Sequence, residues 1–350
     1  MKSTAQETPS TTVSETMLIE SGFTRARVTG VRAVAEDVIE LSLDGRGFDP
    51  GDHLEVAVPA TLGDYTIRHY SLSGTLPSTQ APWTIAVRRC PDGDGGSLWL
   101  HDAVDAGDEL LVRGPRNTFP FGDEQRVLLI AGGIGVTPLL PMAEVASREG
   151  RQWHLLYVGK VESRMPYAVD LKGRYGDAVT VRTTSAQGRP DLNEYIREWV
   201  NGTSVGEGSS MAVYVCGPID MVSDTRIVAE GVPSLNFVYE IFDLDNAVER
   251  SDLEGTDPAV SDNLPFTVEL ADGTEVPVSA DETILSALGK AGVRTLSSCQ
   301  RGTCGTCETF ILEGEVEHRD SVLSDEDKQA NESMMICVSR AKGDRICLDL

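Results

Sequence analysis

From Phe23 to about Phe121, apolar and polar positions alternate in short runs: Ala26–Val34, Val38–Leu43, Leu54–Val58, Thr84–Arg88 and Glu109–Arg113. Turn formers separate them, among them Asp44-Gly45, Asp92-Gly93 and Ala106-Gly107-Asp108. Alternation of period two buries one face of a strand, and several such strands in succession predict an antiparallel β-barrel over residues 23–122.

The texture changes at Arg126. Arg126–Ala131 is almost continuously apolar, then comes Ala131-Gly132-Gly133-Ile134-Gly135-Val136-Thr137-Pro138, then a helical stretch from Pro138 to Arg148. Further strands are expected at Trp153–Val158, Ala178–Thr183, Val213–Cys216 and Asn236–Phe242, with a helix over Ile219–Glu230. Strands alternating with helices predict an α/β domain with a parallel sheet over 123–245. The polar, acidic stretch 246–263 reads as a linker, with Glu249, Asp252, Glu254 and Asp257 among its charges. Beyond it, residues 264–350 hold a hairpin pattern (Phe266–Leu270 and Glu275–Val278), a helix over Glu282–Ala291 capped by Asp281, and a cysteine loop. Residues 1–22 read as a disordered polar tail. The chain is therefore expected to be multidomain.

Composition narrows the class. With 40% hydrophobic and 24% charged residues the chain is an ordinary globular protein. No apolar run approaches the roughly 18 residues of a membrane span, and the N-terminus lacks the apolar core of a signal peptide. A cytoplasmic protein without membrane association is expected. The net charge of −25 repels a polyphosphate, which argues against a nucleic-acid partner. It fits either simple solubility or a docking surface for a basic partner.

Seven cysteines are present, an odd number that does not suit a secreted disulfide framework. Cys299, Cys304 and Cys307 give C-x4-C-x2-C, and Cys337 follows after a long interval. This is the plant-type [2Fe–2S] spacing, in which a short loop supplies three thiolates and a distant strand the fourth. Gly302 and Gly305 would bend the loop tightly and turn N–H groups toward the sulfurs. A structural zinc site usually pairs two cysteine knuckles, and here the second half offers only Cys337 with Cys347 ten residues on. Cys347, in an alternating strand, reads as a buried small hydrophobe.

A second set lies in the barrel. Arg68-His69-Tyr70-Ser71 is followed by Ile85-Ala86-Val87-Arg88 and then by Gly95-Gly96-Ser97. A flavin needs a platform, donors at its polar edge and an anion site. Tyr70 suits the first, Ser71 the second, and Arg68 with the amides at Gly96-Ser97 the third. A third set pairs the glycine turn Gly132, Gly133, Gly135 with Cys216-Gly217-Pro218. Both stand at strand ends where α/β sheets bind ligands, and glycines there let a diphosphate approach the backbone.

In this order, the three sets resemble the phthalate dioxygenase reductase family, the reductases of two-component Rieske oxygenases. The likeness runs from about Phe23 to Leu350 and is carried by RHYSLSG, IAVRR, GDGGS, AGGIGVTPLL, VCGP, SSCQRGTCGTC, HRDSVL and CVSRAK. It implies a flavin-binding β-barrel, an NAD(P)-binding domain and a plant-type β-grasp ferredoxin domain. It implies FMN, with FAD second, contacted by Arg68, His69, Tyr70, Ser71, Ala86, Val87, Arg88, Gly95, Gly96, Ser97 and Thr137. It places Cys216 beside the nicotinamide and Phe242 near the flavin ring, and with Ser71 these are the expected catalytic residues. The family usually shows Glu-Ser-Phe-Gly where this chain has Glu240-Ile241-Phe242-Asp243. NADH is the implied coenzyme. Lys160, Ser163 and Arg164 would also welcome a 2′-phosphate, which keeps NADPH open.

Hydride carries two electrons and the cluster accepts one, so the flavin must stand between them. The expected partner is a terminal oxygenase, and the reductase itself is expected to be a monomer. Two alternatives stay open: the same chain serving a haem-thiolate monooxygenase, and a non-catalytic iron–sulfur carrier or sensor.

Overall fold

The computed structural model describes residues 13–61, 64–74, 82–202, 210–232, 235–242 and 263–350. Over its described residues the chain forms two compact units. One comprises Gly22–Val58 with Arg68–Leu253, the other Met1–Ser21, Pro59–Ile67 and Glu254–Leu350. The expected linker 246–263 lies outside the described residues, apart from Asn263. No helix among the described residues is long and apolar enough to cross a membrane.

The first unit contains the barrel strands. Thr24–Ala35 pairs antiparallel with Val38–Arg46 and with Glu109–Asn117, and Val38–Arg46 pairs in turn with Pro82–Arg88. Leu41, Leu43, Val56, Val58, Ile85, Val87, Leu110 and Val112 fill one buried core, as the alternation requires. Arg68–Ser71, which falls in none of the alternating runs read from the sequence, closes the strand Asp64–Ser71. That strand fully buries only Ile67 and Ser71, so the apolar alternation that marks its neighbours is missing.

The same unit contains a five-stranded parallel sheet in the order Val179–Thr183, Gln152–Gly159, Arg126–Gly132, Met211–Gly217, Leu235–Ile241. Successive residues of each central strand point into different cores. Leu129, Ala131, Tyr157 and Tyr214 meet the helices Leu139–Arg148 and Ala168–Tyr175, while Leu128, Ile130, Val213 and Val215 meet Leu192–Asn201 and Ile219–Glu230. Burial on both faces explains why these strands read as unbroken apolar runs.

In the second unit, Val13–Ser14 is a strand pairing with Asp64–Tyr65, and Glu15–Glu20 is a helix capped by Ser14. The expected disordered tail is therefore wrong for residues 13–22, where Val13 and Leu18 are buried anchors. The ferredoxin sheet runs Glu275–Val278, Phe266–Leu270, Arg345–Leu348, Glu308–Glu313, Ser333–Met335. Its helix is Ile284–Lys290 and is capped by Thr283, whose side chain accepts from the Ser286 N–H. Asp281 was the expected cap; it stands two residues too early. Cys347, expected buried, is half-buried.

Candidate functional site

Register brings the strand ends of the parallel sheet into one row. Cys216 pairs with Ala131 on one side and with Glu240 on the other. The glycine turn opens as a 3-10 helix, Gly133–Val136, and passes through Thr137 and Pro138 into Leu139–Arg148. Its glycines answer to the neighbouring strand. A Cβ on Gly135 would sit 2.3 Å from the Cys216 carbonyl oxygen, and one on Gly132 would sit 2.6 Å from Pro218. A Cβ on Gly217 would sit 3.0 Å from the Gly132 Cα. Close packing of two strand ends is a second reason for glycine here, beyond room for a diphosphate.

Ser71, from the barrel, reaches this row. The Ser71 hydroxyl and the Cys216 thiol both hydrogen-bond to the Glu240 carboxylate, the thiol at 3.9 Å. Burial pushes Glu240 up to about 7, against the opposing pull of the His69 charge and those two bonds. Burial and the adjacent Glu240 charge raise the Cys216 thiol well above its usual range, so it is a neutral donor and not a thiolate. Glu240 is thus a candidate site residue that motif reading placed only at a strand end. The register with Cys216 is what singles it out. Phe242 follows it, half-buried against the core of the sheet.

His69 lies 4.0 Å from Glu55, which is fully buried and bound by Arg113. Its ring is 4.9 Å from that of His53. Burial drives His53 down to about 3, so it stays neutral. His101 contacts the Val87 carbonyl at 2.9 Å and His154 the Thr180 hydroxyl at 3.0 Å.

The proposed flavin residues come together in part. Arg68 stands against the 93–97 turn, where its guanidinium bonds Asp94 at 2.8 Å. A Cβ on Gly96 would fall 2.8 Å from Val58 and 3.7 Å from Arg68. Gly95 is left-handed at φ 84 with open space about it, so this turn is a cradle shaped by its glycines. The Ser97 hydroxyl accepts from the Cys90 N–H at 3.0 Å. Tyr70 packs on the barrel core and Ser71 is buried. Val87 is wholly inside that core, so only its backbone can meet a ligand; Ala86 points elsewhere and Arg88 is exposed.

The expected cationic trio is not a free phosphate site. The Ser163 hydroxyl donates to Glu36 at 2.9 Å, and Arg164 pairs with Glu36 at 3.1 Å and Asp37 at 3.3 Å. Lys160 is exposed.

Four of the five cysteines of the unit that ends at Leu350 stand as two pairs, with Cys347 apart from them. Cys299 donates to Cys304, which is drawn down to about 7 while Cys299 rises; Cys337 donates to Cys307 with the same opposite shifts. Among the described residues no three His, Cys, Asp or Glu groups converge as one metal ion would need. Two thiol pairs side by side are the kind of donor set that a two-iron cluster takes, with two thiolates for each iron. The Arg301 N–H reaches the Cys299 sulfur at 3.4 Å. Gly302 and Gly305 both adopt positive φ, and a Cβ on Gly302 would strike Val338 at 2.6 Å.

A barrel joined to a nucleotide-type sheet, with a four-thiol ferredoxin domain, defines a modular redox enzyme. Comparison with known proteins agrees. Residues 268–342 match the 2Fe-2S iron-sulfur cluster binding domain, and residues 129–226 match the oxidoreductase NAD-binding domain. Phthalate dioxygenase reductase of Burkholderia cepacia is 35% identical over 95% of this chain and 98% of its own length. A solved phthalate dioxygenase reductase, described as a modular structure for electron transfer from pyridine nucleotides to [2Fe–2S], superposes with a TM-score of 0.62 at 32% identity, covering 95% of this chain and 99% of that one. An intact type IV self-sufficient cytochrome P450 monooxygenase gives a TM-score of 0.76 at 30% identity over the whole of this chain, which spans 43% of that longer one. The chain is an oxidoreductase and belongs to the phthalate dioxygenase reductase family of oxygenase reductase subunits.

Proposed function

We propose that this chain takes hydride from NADH, holds FMN in its barrel, and passes electrons through a [2Fe–2S] cluster to a terminal Rieske oxygenase. The observation that carries this reading is the meeting of Ser71, Cys216 and Glu240 where barrel and sheet come together in one compact unit. Arg68, Gly95, Gly96 and Ser97 would hold the FMN phosphate, with His69, Tyr70, Ala86, Val87, Arg88 and Thr137 around the rest. Gly132, Gly133, Gly135, Gly217 and Pro218 would receive the dinucleotide. Cys299 with Cys304, and Cys307 with Cys337, would each hold one iron.

When bound, the flavin supplies the exchange between a two-electron hydride and one-electron transfer. The chain's own groups set the conditions for that exchange. Cys216, kept protonated, presents a neutral thiol at the strand end. Glu240, poised near neutrality, can stabilise the positive charge that develops on a nicotinamide as it gives up hydride. Glu36 and Asp37 hold Ser163 and Arg164 away from a 2′-phosphate, which supports NADH over NADPH.

The protein is proposed to work in the cytoplasm as a monomer, with residues 23–122 as flavin domain, 123–245 as NAD(P) domain and 264–350 as ferredoxin domain. The test is a visible spectrum of purified protein before and after NADH, with the released flavin identified by chromatography. FMN, bleaching by NADH and rapid reduction of a protein acceptor are expected. A colourless protein overturns the proposal. The likeness to the self-sufficient P450 favours a second reading, in which the acceptor is a separate haem-thiolate monooxygenase. Reconstitution with one oxygenase of each kind separates the two.

A further inference from the structure

The strand Glu308–Glu313 begins immediately after the cluster cysteine Cys307 and lies inside the ferredoxin sheet, between Arg345–Leu348 and Ser333–Met335. Its inward residues do what alternation requires: Thr309 is buried and Ile311 packs on the core. Its outward residues do not. Phe310 is 62% exposed and Leu312 is 54% exposed, two large apolar side chains two positions apart on the solvent face of an interior strand. Scattered exposed apolar residues need no explanation, but neighbouring ones on one sheet face form a patch.

Carboxylates flank that patch. Glu313 bounds it at one end of the strand and Glu308, whose carboxylate accepts from the Ser333 hydroxyl at 2.8 Å, at the other, and the Asp349 N–H bonds the Phe310 carbonyl at 3.0 Å. The basic group of the adjoining strand, Arg345, is already engaged by Glu269 and Glu275. We propose that the Phe310–Leu312 face is the docking surface for the electron-accepting oxygenase, whose matching face is apolar at its centre and basic at its rim. This rests on the oxygenase-reductase reading above.

Charge and position both select that occupant. A second copy of this chain would bring carboxylates against carboxylates, and like charges across an interface are strongly disfavoured. An anionic lipid surface is repelled for the same reason. A basic protein is attracted, and Phe310 supplies the aromatic anchor typical of interface centres. The patch stands three to five residues beyond Cys307, about 10–17 Å along the chain at a strand's rise, so a partner seated there would lie on the strand that follows directly on one of the four thiols.

The test uses the full-length holoprotein with cytochrome c as a basic protein acceptor and ferricyanide as a small one. Phe310→Ser with Leu312→Ser should raise KM for cytochrome c about tenfold, the effect of losing one good anchor, while NADH–ferricyanide turnover is unchanged. Glu313→Lys with Asp349→Lys should raise it similarly at low salt, and Phe310→Leu should largely restore binding. Unchanged cytochrome c kinetics in both double variants overturn the docking face alone. Sedimentation showing a wild-type dimer that the apolar double variant abolishes overturns it in favour of a second copy. Wild-type protein that reduces ferricyanide but no protein acceptor overturns the reductase reading and the docking face together.

Discussion

The Cys216 thiol lies 3.9 Å from the Glu240 carboxylate, on neighbouring parallel strands where the two residues are register partners. Because burial lifts both groups, each keeps its proton at a pH where an exposed counterpart of Glu240 would have lost it. Electrostatic control of the strand end therefore passes to Glu240, which changes charge near neutrality.

Glu240 should impose a pH dependence on hydride transfer. Its ionisation places a negative charge where a nicotinamide would become cationic, so the rate should rise as pH passes through about 7. Stability should move the opposite way. The folded carboxyl holds its proton up to about 7, whereas the unfolded one releases it near 4.5, so the folded state binds more protons between these values and loses stability as pH rises across them. Glu240→Gln should flatten both profiles. Stopped-flow reduction by NADH and thermal melts from pH 5 to 8 would check this, and an unaltered rate profile in the variant counts against Glu240.

Cys304→Ser should remove the cluster and spare flavin reduction. Cys304 is half of one thiol pair, and on the proposed ligation its loss would leave one iron a ligand short. The visible iron–sulfur absorbance should vanish and cytochrome c reduction fall about tenfold or more, while NADH still bleaches the flavin. A variant that no longer bleaches would show that the two functions are not separable.

Gly302→Ala should damage the same loop without touching a ligand. Gly302 sits at φ 67, and a methyl there would meet Val338 at 2.6 Å and the Asp320 backbone at 3.1 Å. Strain of this kind costs on the order of 1–3 kcal/mol. Chemical melts should show the ferredoxin domain destabilised by about that much, with lower iron content. A wild-type melt would mean the loop relaxes freely.

NADH should be preferred, and Arg164 should matter little to that choice. Glu36 and Asp37 already hold its guanidinium, and exposed pairs of this kind contribute about 0–1 kcal/mol. Arg164→Ala should change the NADPH-to-NADH ratio of kcat/KM by less than about threefold. A collapse of NADPH activity alone would restore Arg164 as a phosphate ligand.

Where the sequence was legible, a local pattern carried the signal. Arg126–Gly132 and Met211–Gly217 are buried on both faces, so their apolar runs are unbroken. The cysteine spacing is rigid because four thiols must reach two irons. Asp64–Ser71 escaped because only Ile67 and Ser71 are buried along it. The ferredoxin helix cap was ambiguous because Asp281 and Thr283 can both cap, and only the backbone decides. Ser163 and Arg164 looked like a phosphate pocket because their partners, Glu36 and Asp37, are more than a hundred residues away. Glu240 was visible as a residue, but its role depends on which strand lies beside it.

Salt should weaken electron delivery to a protein acceptor without weakening the chemistry that feeds it. The chain carries a net charge of −25, and Glu308, Glu313 and Asp349 border the exposed Phe310–Leu312 face. Attraction between such a surface and a basic partner speeds encounter and is screened over about 8 Å at physiological ionic strength. Cytochrome c reduction at limiting acceptor should fall steeply between low and physiological salt. Ferricyanide is a small anion that needs no docking face, so its rate should stay level or rise slightly as repulsion is screened. The Glu313→Lys, Asp349→Lys variant should show a shallower salt slope than wild type, because it removes charge from the contact itself. Parallel slopes in wild type and variant would assign the acidic excess to the protein as a whole and not to this face.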